Sequence, residues 1–322
     1  MPVTSLPTPA QPKEPQPTKP QHPALRGTLL TISSLTIMAA ATISPGLPRM
    51  QAHFAEVPEA GLLVRLVLTV VALSVALFSP ISGIIADRIG RKPLLMFGLL
   101  LYALAGTSGL YLETLPALLA GRVLLGIAVS AITTASSALV ADYFTGPVRQ
   151  RFIGLQSAFV SFGGVLFQPL GGALADFGWH APFAIYFASL AIVPFAWLAL
   201  TEPERSRTDR QASKHLIPQM VWVLYALAFI YMIVFYLLPT QLPFFVQNVI
   251  GLKPSASGYI VALYMLSSAT TALQYPRLRA KLNEPALMVL GFGLLGAGWA
   301  LLGAARELNL ILIGMVISGA AA

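Results

Sequence analysis

Gly83-Ile84-Ile85-Ala86-Asp87-Arg88-Ile89-Gly90-Arg91-Lys92-Pro93 is the stretch on which the fold turns. Four charged residues, Asp87, Arg88, Arg91 and Lys92, sit between apolar runs at 61 to 82 and 94 to 111. Each run meets the roughly 17 to 25 mostly apolar residues that a helix needs to cross a bilayer. The chain therefore leaves the membrane near Ala86, turns in water and re-enters after Pro93. Gly83 and Gly90 suit a tight turn between closely packed helices, because glycine has no Cβ to obstruct either the turn or the neighbour.

The same pattern continues outward in both directions. Further runs lie near 28 to 46, 116 to 140, 152 to 175 and 181 to 200, which makes six. A second set lies near 219 to 239, 256 to 275, 286 to 304 and 309 to 322. The chain is 56% hydrophobic and only 10% charged, with a mean hydropathy of +0.76. That is more apolar surface than one water-soluble core can bury, so the excess faces lipid. The expected fold is an all-α integral membrane protein in two halves. A Pro-rich disordered tail spans 1–27, a six-helix half 28–200, a polar linker 201–218, and a second half of about four helices 219–322. A shift of about 192 residues sets Lys92-Pro93-Leu94-Leu95-Met96 against Glu284-Pro285-Ala286-Leu287-Met288, as parallel repeated halves would. On that pattern the second half should have six helices, so the chain is expected to be cut within its tenth.

The net charge of +8 does not form a nucleic-acid footprint, since the Lys and Arg lie in short clusters between apolar runs rather than on one solvated face. They fall unevenly on the two sides. One side carries Lys13, Lys19, Arg26, Arg88, Arg91, Lys92, Arg149, Arg151, Arg205, Arg207, Arg210, Lys214, Arg277, Arg279 and Lys281. The other has Arg49, Arg65, Lys253 and Arg306. Cytoplasmic loops retain positive charge, which puts the N-terminus and the linker in the cytoplasm. Arg65 is expected to snorkel to the interface from one turn inside its span. There are no cysteines, and the four histidines, His22, His53, His180 and His215, show no metal-ligand spacing. No phosphate loop or nucleophile-base cluster is present, so catalysis, cofactors and metals are not expected.

Arg122 lies deep in the fourth span, where a charge costs roughly 2.5 to 3.5 kcal/mol even on gentle scales. It is expected to face a cavity between the halves, with hydrogen bonding to helix carbonyls as the alternative. In the fifth span Gly154, Ser157, Ser161, Gly164, Gln168 and Gly171 recur every three or four residues and share one helix face. Small residues on one face allow close packing in lipid. The candidate cavity residues are Arg122, Gln156, Ser161, Gln168, Tyr231 and Tyr264. Gly126, Gly163, Gly164, Gly171 and Gly172 are candidates for helix packing.

The Gly83 to Pro93 loop resembles the signature loop of the major facilitator superfamily, and Gly121-Arg122 with Gly126 resembles its fourth-helix motif. Gly163, Gly171 and Gly172 match positions of its antiporter motif, with Phe167-Gln168 standing where the family has glycine-proline. Ile43-Ser44-Pro45-Gly46, Gly178-Trp179-His180-Ala181-Pro182 and Pro203-Glu204 extend the likeness to the twelve-helix bacterial drug and metabolite exporters. The resemblance implies a monomeric secondary transporter of the bacterial inner membrane. It would move a small-molecule solute outward in exchange for protons. Many such exporters carry an acidic residue in the first helix, and Thr28 to Ser44 has none. An uptake symporter, and a non-transporting receptor or scaffold, are the alternatives. The resemblance also implies a cytoplasmic gate built from Gly83, Asp87, Arg88, Gly90, Arg91, Lys92, Asp142 and Arg151. Within it, Asp87 is expected to contact Arg91 or the loop after the fourth span.

Overall fold

The computed structural model describes residues 23–203 and 219–321, so the tail to residue 22 and most of the linker, 204–218, lie outside the described residues. The first half contains α1 (Pro23–Ala41), a short α2 (Leu47–His53), α3 (Ala60–Ile89), α4 (Arg91–Gly106), α5 (Leu115–Tyr143), α6 (Gly146–Ala175) and α7 (Ala188–Ala199). The second contains α8 (Gln219–Phe244), α9 (Pro254–Arg279), α10 (Glu284–Ala304) and α11 (Leu308–Ala321). Among the described residues, nine helical segments are long and apolar enough to cross a membrane, and α11 is a shorter apolar helix of 14 residues. Helix α1 opens at Pro23, earlier than the expected Thr28, because a proline at a helix start forgoes only an N–H that has no intrahelical partner.

Two cores form, one built from residues between Leu29 and Leu200 together with Phe244 of α8, the other from residues between Leu238 and Met315. Helix α3 shows how a span divides its surface. Val64, Val67, Leu68, Val71 and Ser74 are buried, whereas Leu62, Leu66, Leu73, Leu77, Ile81 and Ile84 are exposed at helical spacing. The exposed stripe is the lipid-facing one. The buried stripe meets α5, where a Cβ on Gly126 would collide with Ser74 and the Val71 carbonyl. Ser82 and Ser130 share a 2.8 Å hydrogen bond in the same interface. Small residues let the backbones approach, and hydroxyls join them where water cannot.

The halves meet chiefly through α6 and α9. A Cβ on Gly172 would lie 2.9 Å from the Pro254 carbonyl, and one on Gly164 would lie 3.3 Å from Met265. Gly163 and Gly171 instead seat α6 against α1, at Ile37 and the Thr42 carbonyl. Gly83 differs from the expectation of close packing, because it lies inside α3 with open space where its Cβ would be.

Candidate functional site

A cavity of about 690 Å³ lies between the halves. Its wall is formed by Ile32, Ser33 and Thr36 of α1, Ile132, Thr133, Ser136 and Ser137 of α5, and Ile153, Gln156, Ser157, Val160 and Ser161 of α6. Tyr231 and Met232 of α8 complete it. Gln156 donates from Nε2 to Ser33 Oγ at 2.9 Å, which fixes the amide across the α1–α6 seam. A narrower slot of about 100 Å³ shares Thr36 with this cavity and is lined by Gln168, Phe235, Tyr236 and Pro239 among others. Gln168 is buried and its Oε1 accepts no hydrogen bond from the described residues. Pro169 follows it within α6 and removes one backbone donor there.

One end of the cavity is closed by bonds between the halves. Ser44 donates to the Pro239 carbonyl at 2.6 Å and Gln247 to the Pro45 carbonyl at 2.9 Å. The Ser255 N–H donates to Asp176 Oδ1 at 3.2 Å. Arg65 adds a contact to Gln241 Oε1 at 3.4 Å and lies over the Phe244 ring, 4.2 Å from its centroid. Instead of snorkelling, Arg65 is half-buried between the halves, because an aromatic face and an amide oxygen stand within its reach. His53, Trp179 and His180 pack together at this end. Burial, followed by the neighbouring His53, holds His180 below the ordinary imidazole value. Toward the other end Ile153 and Ser157 are exposed.

Three of the six sequence-based cavity residues, Gln156, Ser161 and Tyr231, therefore line the main cavity, and Gln168 lines the slot. Tyr264 is buried in the second-half core and lines neither the cavity nor the slot. Arg122 corrects the expectation drawn from its depth. It is fully buried inside the first half, donating to the Gly106 carbonyl at 2.8 Å and to Tyr186 Oη at 3.3 Å. Its guanidinium also lies 4.6 Å from the centroid of the Phe183 ring. A carbonyl, a hydroxyl and an aromatic face answer the guanidinium without a cavity, with Nε alone left unbonded by the described residues, so the carbonyl-bonding alternative describes this arginine.

The loop cluster is also rearranged from expectation. Asp87 is exposed and makes no ion pair or hydrogen bond with the described residues. Arg91 pairs with Asp142 instead. A partly exposed pair of this kind contributes about 0 to 1 kcal/mol. Arg88 and Arg151 are exposed. The residue that organises the turn is Glu202, which sequence reasoning missed. Its carboxylate accepts from the N–H groups of Arg91 and Lys92, both at 2.7 Å, at the start of α4. An anion at a helix N-terminus answers unpaired donors and the helix dipole together. Lys92 Nζ reaches the Trp197 carbonyl at 2.7 Å, tying the same turn to α7. Gly90 has φ +109°, and a Cβ there would lie 2.8 Å from Glu202 Oε1, so glycine is required on two counts. Glu202→Ala should therefore destabilise the full-length protein by about 0.5 to 2 kcal/mol, and Gly90→Ala should do at least as much harm. Thermal denaturation of the purified variants measures both, and unchanged midpoints would remove Glu202 from this role.

Comparison with known proteins agrees with this architecture. A family model described as Major Facilitator Superfamily matches residues 29–322. The chain is 33% identical over 142 residues to multidrug resistance protein 1 of Bacillus subtilis (strain 168), covering 44% of this chain and 36% of that protein. It is 27% identical over 276 residues to the class B tetracycline resistance protein of Escherichia coli, covering 82% of this chain and 68% of that one. A bacterial homolog of the human lysosomal transporter Spinster superposes with a TM-score of 0.74 at 23% identity, over 95% of this chain and 72% of that chain. The D-xylose-proton symporter does so with a TM-score of 0.68 at 15% identity, over 92% and 78%. These last two likenesses concern the fold alone. With its paired helical halves, its intervening cavity and a family match running from the first span to the last residue, the chain belongs to the major facilitator superfamily, a family of membrane transporters rather than enzymes.

Proposed function

We propose that this chain is the solute-binding part of a secondary exporter that moves a small molecule out of the cytoplasm in exchange for protons. The observation that carries the reading is the 690 Å³ cavity between the halves, bonded shut at one end. A site between two halves that alternately closes at each end is how secondary transporters expose a solute to one side at a time. The positively charged loops lie at the opposite end from the closing bonds, which by the positive-inside rule supports an inward-facing state with the N-terminus in the cytoplasm. Gln156, Ser161, Tyr231 and Gln168 are the groups we assign to solute contact, in a protein working as a monomer in the bacterial inner membrane. Outward direction is supported by the two relatives whose names denote drug resistance.

Cells expressing the full-length gene should accumulate less of at least one compound from a panel of drug-like and metabolite solutes. Dissipating the proton gradient should restore accumulation. Greater accumulation would make the protein an uptake symporter, and no change for any compound would favour a receptor or scaffold.

A further inference from the structure

The cavity wall carries hydroxyls and amides and, among the described residues, no group that would answer a charged solute with an opposite charge. Among the described residues, no Asp, Glu, Lys, Arg or His lines either the cavity or the slot. Instead the wall is rich in hydroxyls, and five of them have already committed their protons. Ser33 donates to the Leu29 carbonyl at 2.9 Å, Thr36 to Ser33 at 2.8 Å, and Thr133 to Val129 at 2.9 Å. Ser157 and Ser161 donate to Ile153 and Ser157, both at 3.1 Å. A hydroxyl that gives its proton to its own helix keeps only acceptor lone pairs for anything in the cavity. In the adjoining slot, Gln168 Oε1 is one more acceptor, buried and without a donor. Its other named walls, Phe235 and Tyr236, are aromatic.

We infer that the solute is neutral and amphipathic, with a hydroxylated body in the main cavity and a slender apolar tip whose hydrogen-bond donor reaches Gln168 in the slot. This rests on the transport reading and specifies the chemistry of its site. An anion faces oxygen lone pairs with no cation to answer it, and a cation enters a buried site with no carboxylate. Either charge loses its hydration without a counter-charge. A neutral solute with several O–H groups can instead donate to these acceptors and accept from Ser136 and Ser137, which line the same wall and form no hydrogen bond with the described residues. At Gln168 it satisfies an acceptor that is otherwise left unpaired in the empty protein.

Aryl glucosides make the test, since four of them share one scaffold. These are 4-hydroxyphenyl β-D-glucoside, the 4-methoxyphenyl analogue without the donor, the anionic 4-carboxyphenyl analogue and the cationic 4-(aminomethyl)phenyl analogue. Binding to the purified full-length protein in lipid nanodiscs is measured by calorimetry. The hydroxyphenyl compound should bind at least tenfold more tightly than each of the other three. In Gln168→Met, which keeps the side-chain length, its advantage over the methoxy compound should vanish. The inference is overturned if either charged analogue binds as well as the hydroxyphenyl one, or if no glucoside binds. A full advantage retained in Gln168→Met also overturns it. The wild-type series stands by itself if that variant does not fold. A positive result in the accumulation screen with any solute, beside failure of the glucosides, would reject this solute class and leave transport in place.

Discussion

Arg122→Ala in the full-length protein is expected to cut the yield of monodisperse, detergent-purified transporter several-fold while leaving transport per folded molecule near wild type. The guanidinium holds the Gly106 carbonyl and Tyr186 Oη and lies against the Phe183 ring, all within the first half. Truncation takes the guanidinium donor from the buried Gly106 carbonyl, at about 1 to 3 kcal/mol, while Tyr186 Oη still accepts from Thr42 Oγ1. It also leaves a cavity where the long side chain was, in an element the α4 and α7 ends pack around. Arg122→Met, which fills that space and buries no charge, should lose less than alanine. Size-exclusion profiles of fluorescent fusions, with transport normalised to folded protein, distinguish the two effects. Well-folded alanine variant with no transport would return Arg122 to the working cycle.

Gly258→Ala is expected to open the closed end. A Cβ at Gly258 would press on the Gln168 carbonyl, and on Pro169 beyond it, where α9 crosses α6 between the halves. Backbone on both sides cannot yield as a flexible side chain can, so the strain falls on the packing of one half against the other. Overpacking of this kind costs about 1 to 3 kcal/mol. Applied to one conformation only, that shifts the equilibrium by about 5- to 150-fold. Residues 1–322 contain no cysteine, so single cysteines at Ser136 and Thr133 report accessibility in a full-length protein cleared of any cysteine outside this stretch. Labelling by an impermeant thiol reagent from the outer face should rise by at least fivefold in Gly258→Ala, and transport should fall. Gly154→Ala, whose Cβ meets open space, serves as the control and should change neither. Equal labelling of wild type and Gly258→Ala would mean that this crossing does not set the closed state.

Much of the architecture can be read from the chain because lipid imposes a simple rule. Backbone groups in hydrocarbon must be paired internally, so each crossing is a long apolar helix, and long apolar runs are visible in a sequence. The face shared by Ser157, Ser161, Gly164, Gln168 and Gly171 was legible for a similar reason, since helical spacing alone puts those residues side by side. That face divides between the cavity, the slot, the crossing with α9 and, at Gly171, the seat against the end of α1.

Spacing states which residues share a face but not what that face meets. Arg122 was read correctly as needing partners inside the membrane. Its acceptors come from Gly106 and Tyr186, 16 and 64 residues away, on elements whose approach only the packed half creates. Glu202 is 111 residues from the Arg91 N–H that it receives, and nothing in its immediate neighbourhood marks it as the cap of α4. Asp87, though embedded in the signature loop, ends up exposed while Asp142 takes Arg91. The sequence by itself determined the helices, their order and the family, because these depend on local composition and on the cost of polar groups in lipid. Only the tertiary structure decided which polar groups face the cavity and which hold a half together. A buried charge or acceptor takes whichever partner lies within about 3 Å, and that distance is set by packing between segments remote in the chain.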